Sequence, residues 1–188
     1  MLPIALGLGA AACIGVGDFT AGVASRRIAP LMVAFWTHVV AASLGVLLLF
    51  WLKPALLPGQ LPWSLAAGVA IGIGLALLYR AMSVGAISLV APITACAVVL
   101  PVIWAVVNGE RLEPLPALGI VAVVCGVVLA SLQPDSLSGA ATGASNTGNR
   151  RVIALAIGSA LALGIFYILV DIAPQTGDWG ALWTAGTA

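Results

Sequence analysis

The sequence predicts an all-α fold, a multi-pass transmembrane helical bundle, and three observations lead to this prediction. Hydrophobic residues make up 62% of the 188 residues and charged residues only 7%, whereas about a quarter of the residues in a soluble domain are charged. Six apolar runs each approach the ~20 residues that an α-helix needs to cross the hydrocarbon core of a bilayer. A segment rich in Ser, Gly and Asn separates the first five runs from the sixth.

Charges, prolines and turn residues mark the ends of the apolar runs. The six runs are Pro3 to Val23, Leu31 to Leu52, Pro62 to Met82, Ile87 to Asn108, Leu115 to Leu132 and Val152 to Ala173. The first run is long enough to span and follows no positively charged segment, which favours a transmembrane helix over a signal peptide. A seventh run begins near Gly180 and stops at Ala188 without a polar tail, so we expect the native protein to continue.

Composition also excludes several classes of function. Seven basic and six acidic residues leave no basic surface for a nucleic acid. The three cysteines lie inside apolar runs and show neither a disulfide framework nor a metal-binding spacing. With one histidine and no HExxH, GxSxG or P-loop motif, the chain carries no catalytic constellation. We therefore expect no enzymatic activity, no cofactor, no metal and no nucleic-acid partner.

The polar segment divides the chain into three parts. Residues 133–151 read as a flexible linker, because a stretch with almost no large apolar residue cannot bury enough surface to order itself. Residues 1–132 then form a first repeat of five helices and residues 152–188 the start of a second. Six residues of the first helix recur in order in the sixth: Ile4, Ala5, Leu6, Gly9, Ala11 and Gly15 match Ile153, Ala154, Leu155, Gly158, Ala160 and Gly164. Because five spans precede the second copy, it enters the membrane inverted, as in many secondary transporters.

A family resemblance rests on motifs in the third to fifth runs. They are Tyr79-Arg80-Ala81, Ala91-Pro92, Gly109-Glu110-Arg111, Gly119 and Gly126. In this order they resemble the C-terminal part of an EamA repeat of the drug/metabolite transporter superfamily, and the opening "GDFTAGVASRR" resembles the first helix of one branch. The resemblance implies an inverted-repeat fold with five helices per repeat, of which the second is incomplete here. It also implies secondary transport of a small molecule by alternating access.

Asp18 is the strongest candidate for a functional residue. It lies about 12 Å below Arg26 along the first helix, and an acid at the centre of a span costs roughly 2.5 to 3.5 kcal/mol. A hydrated cavity would offset this cost, and Asp18 would then bind a substrate amine or a proton. The alternative is a structural hydrogen bond between helices, for example to Thr37 or Thr94. Asp171, near the end of the sixth run, is predicted to lie at the membrane interface.

Four further residues are candidates for the substrate or proton site. Tyr79, Trp104 and Tyr167 are the aromatic residues that we place in or near a cavity. His38, inside the second run, has a side chain that titrates near neutral pH. The alternative for His38 is a hydrogen-bonded polar residue between helices.

Pro92 and Pro101 lie inside the fourth run, where each removes a backbone hydrogen bond and bends the helix. A bent helix suits the wall of a cavity, since irregular backbone within a membrane is tolerated where it faces protein or water. The two prolines are therefore hinge candidates, and the alternative is a kink without function.

Together these observations predict a carrier of a small metabolite, such as an amino acid or an amphipathic toxic compound, moved outward across the cell (plasma or inner) membrane. The alternative is a non-transporting membrane scaffold. Arginine outnumbers lysine six to one, which is typical of a GC-rich bacterial gene. The partners expected are the lipid bilayer and a small-molecule substrate. The sequence leaves open whether the chain forms a homodimer and which way it is inserted, since the positive-inside rule and the family resemblance disagree.

Overall fold

The computed structural model describes residues 2–52, 59–109, 118–122, 125–126, 129 and 146–173. The residues described are helical apart from short turns, and no strand occurs among them. This part of the chain confirms the predicted all-α fold.

Six α-helices can be delimited in the described part of the chain. They are α1 (Leu2–Ala24), α2 (Pro30–Leu52), α3 (Gln60–Val84), α4 (Ile87–Ala95), α5 (Val99–Val107) and α6 (Asn146–Ile172). A short 3₁₀ segment, Cys96–Val98, joins α4 to α5, so these two helices together form one predicted span. The described residues of the fifth predicted run, 118–122, 125–126 and 129, are helical. The rest of that run and the seventh run lie outside the described residues.

The helices are long and apolar enough to cross a membrane. Within the described residues there are five such spans, at Gly7–Ala24, Pro30–Leu48, Gln60–Val84, Ile87–Val107 and Arg150–Ile172. Large side chains such as Phe50 and Trp51 point outward with 80% and 86% of their surface exposed. A helix that is apolar on its outer face as well as its inner one is suited to lipid rather than water. The prediction of a multi-pass transmembrane bundle is confirmed.

Turn residues explain where the spans end. After α1, the Ser25 hydroxyl donates to the carbonyl oxygen of Gly22 at 2.7 Å, which satisfies one of the carbonyls at the helix end. Gly59 precedes α3 with φ of 106° and Gly109 follows α5 with φ of 87°. Both angles lie in the left-handed region, which glycine adopts without the steric cost that a Cβ would add.

All the arginines of the described residues lie at one end of the bundle, which we call the arginine end. α1 and α3 end there, and the short turns after them lead into α2 and α4, which begin there. α6 also begins there, because a Cβ on Gly85 after α3 would meet the side chain of Val152 near the start of α6. The Arg26 guanidinium donates to the carbonyl oxygen of Gly85 at 3.0 Å and so ties the turn after α1 to the turn after α3. The five exposed arginines are Arg26, Arg27, Arg80, Arg150 and Arg151.

The closest helix pair is α3 with α6, which run antiparallel. The Ser159 hydroxyl donates to the carbonyl oxygen of Gly74 at 2.8 Å, and both residues are buried. A Cβ on Gly74 would lie only 2.9 Å from the Leu163 side chain. Small residues let two backbones approach in lipid, where no hydrophobic effect drives helices together. Gly74 and Ser159 are therefore the packing centre of this pair.

α6 begins earlier than the apolar run predicts. The run starts at Val152, whereas the helix starts at Asn146 and includes residues 146–151 of the predicted linker. The boundary taken from composition marks where the apolar residues start, but a helix can continue beyond the hydrocarbon core, where Asn and Thr are suited to a helix N-terminus. The division into two repeats and a linker stays a prediction.

Candidate functional site

A cavity of about 480 Å³ lies between α1, α3, α6 and the broken span formed by α4 and the 3₁₀ segment. We call it the Asp18 cavity. Its lining residues come from all four of these parts and are mostly apolar: Gly15, Asp18, Phe19, Leu78, Met82, Ile87, Ala91, Thr94, Ala95, Ala97, Val98, Leu163 and Tyr167.

Helical spacing explains which side chains reach the cavity. Gly15 and Asp18 are three residues apart in α1, and Leu163 and Tyr167 are four residues apart in α6. Residues at these separations share one face of a helix. Gly15, which is not among the residues predicted for the site, leaves space beside the carboxylate because it carries no side chain. Its position three residues before Asp18 is the sequence signal that could have identified it.

Asp18 is half-buried, and its carboxylate accepts a hydrogen bond from the Tyr79 hydroxyl. Tyr79 is only 2% exposed, so its ring is fixed by packing inside the bundle. On α2, the Thr37 hydroxyl lies within hydrogen-bonding reach of the Tyr79 oxygen and of the carbonyl oxygen of Ala34, the latter at 2.8 Å, and it donates its one proton to one of them at a time. One hydrogen-bonded group of side chains thus connects α1, α2 and α3.

This arrangement has features of both interpretations of Asp18, the binding residue in a cavity and the structural hydrogen bond between helices. The carboxylate lines a cavity and also bonds to a neighbouring helix, but its partner is Tyr79 rather than Thr37 or Thr94. Thr94 lines the same cavity, and its hydroxyl lies 3.1 Å from the carbonyl oxygen of Val90 and 3.0 Å from that of Ala91. The role of Asp18 in binding stays a prediction.

The predicted hinge residues flank the break in the fourth span. Pro92 lies in α4 and Pro101 in α5, with the 3₁₀ segment between them. Because Pro101 has no backbone N–H, the carbonyl oxygen of Ala97 lacks its usual donor four residues on. α6 approaches this carbonyl so closely that a Cβ on Gly164 would lie 3.0 Å from it. The break therefore forms part of the cavity wall, and its movement as a hinge stays a prediction.

The other candidates are placed differently. Tyr167 lines the Asp18 cavity, whereas Trp104, which is 39% exposed, lines neither this cavity nor a second one beside it. His38 lies outside both cavities, and its Nδ1 donates to the carbonyl oxygen of Ala34 at 2.8 Å. Its Nε2 is buried near Gly72 and has no hydrogen-bond partner among the described residues. The structure thus brings Asp18, Tyr79 and Tyr167 together and leaves Trp104 and His38 apart from them.

Within the described ranges, no three His, Cys, Asp or Glu side chains lie close enough together to hold a metal ion. The polar side chains that line the Asp18 cavity are the carboxylate of Asp18 and the hydroxyl groups of Thr94 and Tyr167. The rest of its wall, within the membrane bundle, is apolar.

A multi-pass helical bundle with such a cavity between its spans defines a polytopic membrane protein. Residues 1–132 match the model of the EamA-like transporter family. The chain belongs to this family and is therefore a membrane transporter of the drug/metabolite transporter superfamily, which is not a family of enzymes. No curated protein and no solved structure matches the chain.

Proposed function

We propose that the protein is a secondary carrier in a bacterial cell membrane that moves a small amphipathic metabolite with an ammonium group outward by alternating access. Amino acids and amphipathic amines both fit this description. The observation that carries the proposal is the carboxylate of Asp18, which lines a cavity inside the membrane bundle.

The walls and the charge of the cavity support a ligand of this kind. Phe19, Leu78 and Met82 offer apolar surface, and the volume of about 480 Å³ lies within the range of small-molecule sites. A carboxylate removed from bulk water needs a compensating partner. The Tyr79 hydroxyl supplies one hydrogen bond but no charge, so an ammonium ion would complete the site.

The broken fourth span supports alternating access. The 3₁₀ segment interrupts the regular hydrogen-bond ladder beside the cavity, and short 3₁₀ stretches within helices often mark hinges. Discontinuous helices near the substrate are a recurring feature of secondary transporters. In this proposal α4 and α5 tilt about the segment between Pro92 and Pro101 and expose the cavity to each side of the membrane in turn.

Thermal unfolding of the full-length protein in detergent tests the proposal. The panel contains tryptamine, L-tryptophan and tryptophol, which replaces the ammonium group of tryptamine with a neutral hydroxyl. A ligand that binds only the folded state stabilises it by about 2.7 kcal/mol at 100 times its dissociation constant. We expect tryptamine or L-tryptophan to raise the unfolding temperature and tryptophol to raise it less.

Equal shifts with tryptamine and tryptophol would show that the cavity does not select a positive charge. Absence of a shift with these compounds and with a wider set of amino acids and cationic drugs would contradict the proposal. It would favour the alternative, a membrane scaffold that does not transport.

A further inference from the structure

A second cavity of about 300 Å³ adjoins the Asp18 cavity. Its lining residues are Val98, Pro101, Ala105, Tyr167 and Asp171. We call it the Asp171 cavity. Two of these residues, Val98 and Tyr167, line both cavities. They therefore form the wall between them.

The two cavities follow one another along the bundle. α6 starts at the arginine end and runs to the opposite end, where it finishes at Ile172. Asp171 is four residues beyond Tyr167, which is about 6 Å further along the helix on the same face. The Asp171 cavity is thus nearer to the opposite end of the bundle than the wall formed by Tyr167.

Charge is distributed unevenly along this line. Among the described residues there are two acids, Asp18 and Asp171, and each lines one of the two cavities. The five arginines of the same residues all lie at the arginine end. A cation that passes along this line would meet a carboxylate in each cavity in turn.

Tyr167, whose side chain lines both cavities, forms a partition between them. Its side chain is 48% exposed, in contrast to Tyr79, which is held by packing. A phenol ring beside a passing ammonium ion also offers a cation–π contact.

We infer that the Asp171 cavity is a second binding site for small organic ammonium ions, from which the ligand passes Tyr167 to reach Asp18. The inference rests on the proposed function, since it assigns an entry or exit site to the same ligand. It adds a site and a partition that the carrier proposal does not require.

Equilibrium binding of radiolabelled tryptamine to the full-length protein tests the second site. We expect the wild type to bind one tryptamine in each cavity, and Asp171→Asn and Asp18→Asn each to lose one of the two. Loss of the charged partner should weaken the affected site about tenfold or more.

Which variant loses a tryptamine site distinguishes failure of the second site from failure of the proposed function. If Asp171→Asn binds as the wild type does while Asp18→Asn loses a site, the second site is wrong and the proposed function stands. If only Asp171→Asn loses a site, the second site stands and the role of Asp18 is wrong. If the wild type binds neither tryptamine nor any other compound of the panel used in thermal unfolding, both are wrong.

The dissociation rate of tryptamine from the Asp18 cavity tests the partition. It is measured in Asp171→Asn, where only that site remains. Adding Tyr167→Ala should speed dissociation and association by the same factor, because a partition slows passage in both directions and leaves the affinity unchanged, whereas loss of a binding contact would weaken the affinity. Ile165→Ala is the matched control, since Ile165 is similarly exposed and lines neither cavity. Equal rates in the two variants would overturn the role of Tyr167.

Discussion

Asp18→Asn is expected to remove the part of the stabilisation by tryptamine that comes from binding in the Asp18 cavity. The substitution keeps the shape of the side chain and its acceptor for the Tyr79 hydroxyl, but it removes the negative charge that pairs with the ammonium group. A hydrogen bond to a charged group is worth about 1.5 to 3 kcal/mol, so the affinity should fall roughly 10- to 100-fold. Thermal unfolding with and without ligand measures this effect.

The ligand-free form of Asp18→Asn should unfold at the same temperature as the wild type or at a higher one. Removing the charge removes the cost of about 2.5 to 3.5 kcal/mol for an acid deep in a span, reduced here by the cavity. A loss of binding together with a gain in stability is typical of a functional site. Thr94→Val is the control, because Thr94 lines the cavity without a charge. If Asp18→Asn lowers the stability and leaves the affinity unchanged, Asp18 is a structural residue.

Gly164→Ala is expected to destabilise the protein, although alanine is the better helix former. A Cβ on Gly164 would lie 2.7 Å from the Leu100 side chain and 3.0 Å from the carbonyl oxygen of Ala97, so α6 would have to move away from the broken span. Overpacking of this kind costs about 1 to 3 kcal/mol. The free energy of unfolding in mixed detergent micelles gives the value.

Gly9→Ala is the matched control for this prediction. Apart from the neighbouring residues and backbone of α1 itself, no atom of the described residues lies within 4 Å of a Cβ built on Gly9, so the added methyl group meets open space. There the higher helix propensity of alanine should stabilise the protein by about 0.5 to 1 kcal/mol. The two substitutions are chemically identical and should have opposite signs. A loss of stability of similar size in both would contradict the packing of α6 against the broken span.

The sequence predicts the spans well because the length and the composition of an apolar run are dictated by the bilayer itself. It also identifies Asp18 as a residue that needs a partner, since an acid in hydrocarbon is costly. The identity of that partner could not be predicted. Tyr79 is distant in the sequence, and helices that are apolar on every face give no periodic signal for which side they turn inward. The outward position of Trp104 could not be predicted for the same reason.

For the two prolines, too, only part of the structure could be predicted from the sequence. Pro92 and Pro101 predict a disturbance in the fourth span, and the structure contains one, the 3₁₀ segment between them. That Gly164 of α6 lies against this segment depends on tertiary packing between residues far apart in the chain. The boundary of the linker also differed, because composition marks the edge of the hydrocarbon core rather than the end of a helix.

The most direct test of the account asks whether water reaches the position of Asp18 within the membrane. Asp18→Cys is prepared in full-length protein whose native cysteines are replaced by alanine and is treated in vesicles with a charged, water-soluble thiol reagent. Val40→Cys, near the middle of α2 with 56% of the side chain exposed outward, is the lipid-facing control. We expect the thiol at position 18 to react, and to react much faster than the thiol at position 40. A thiol at position 18 that reacts as slowly as the lipid-facing one would contradict a hydrated binding cavity and with it the carrier mechanism.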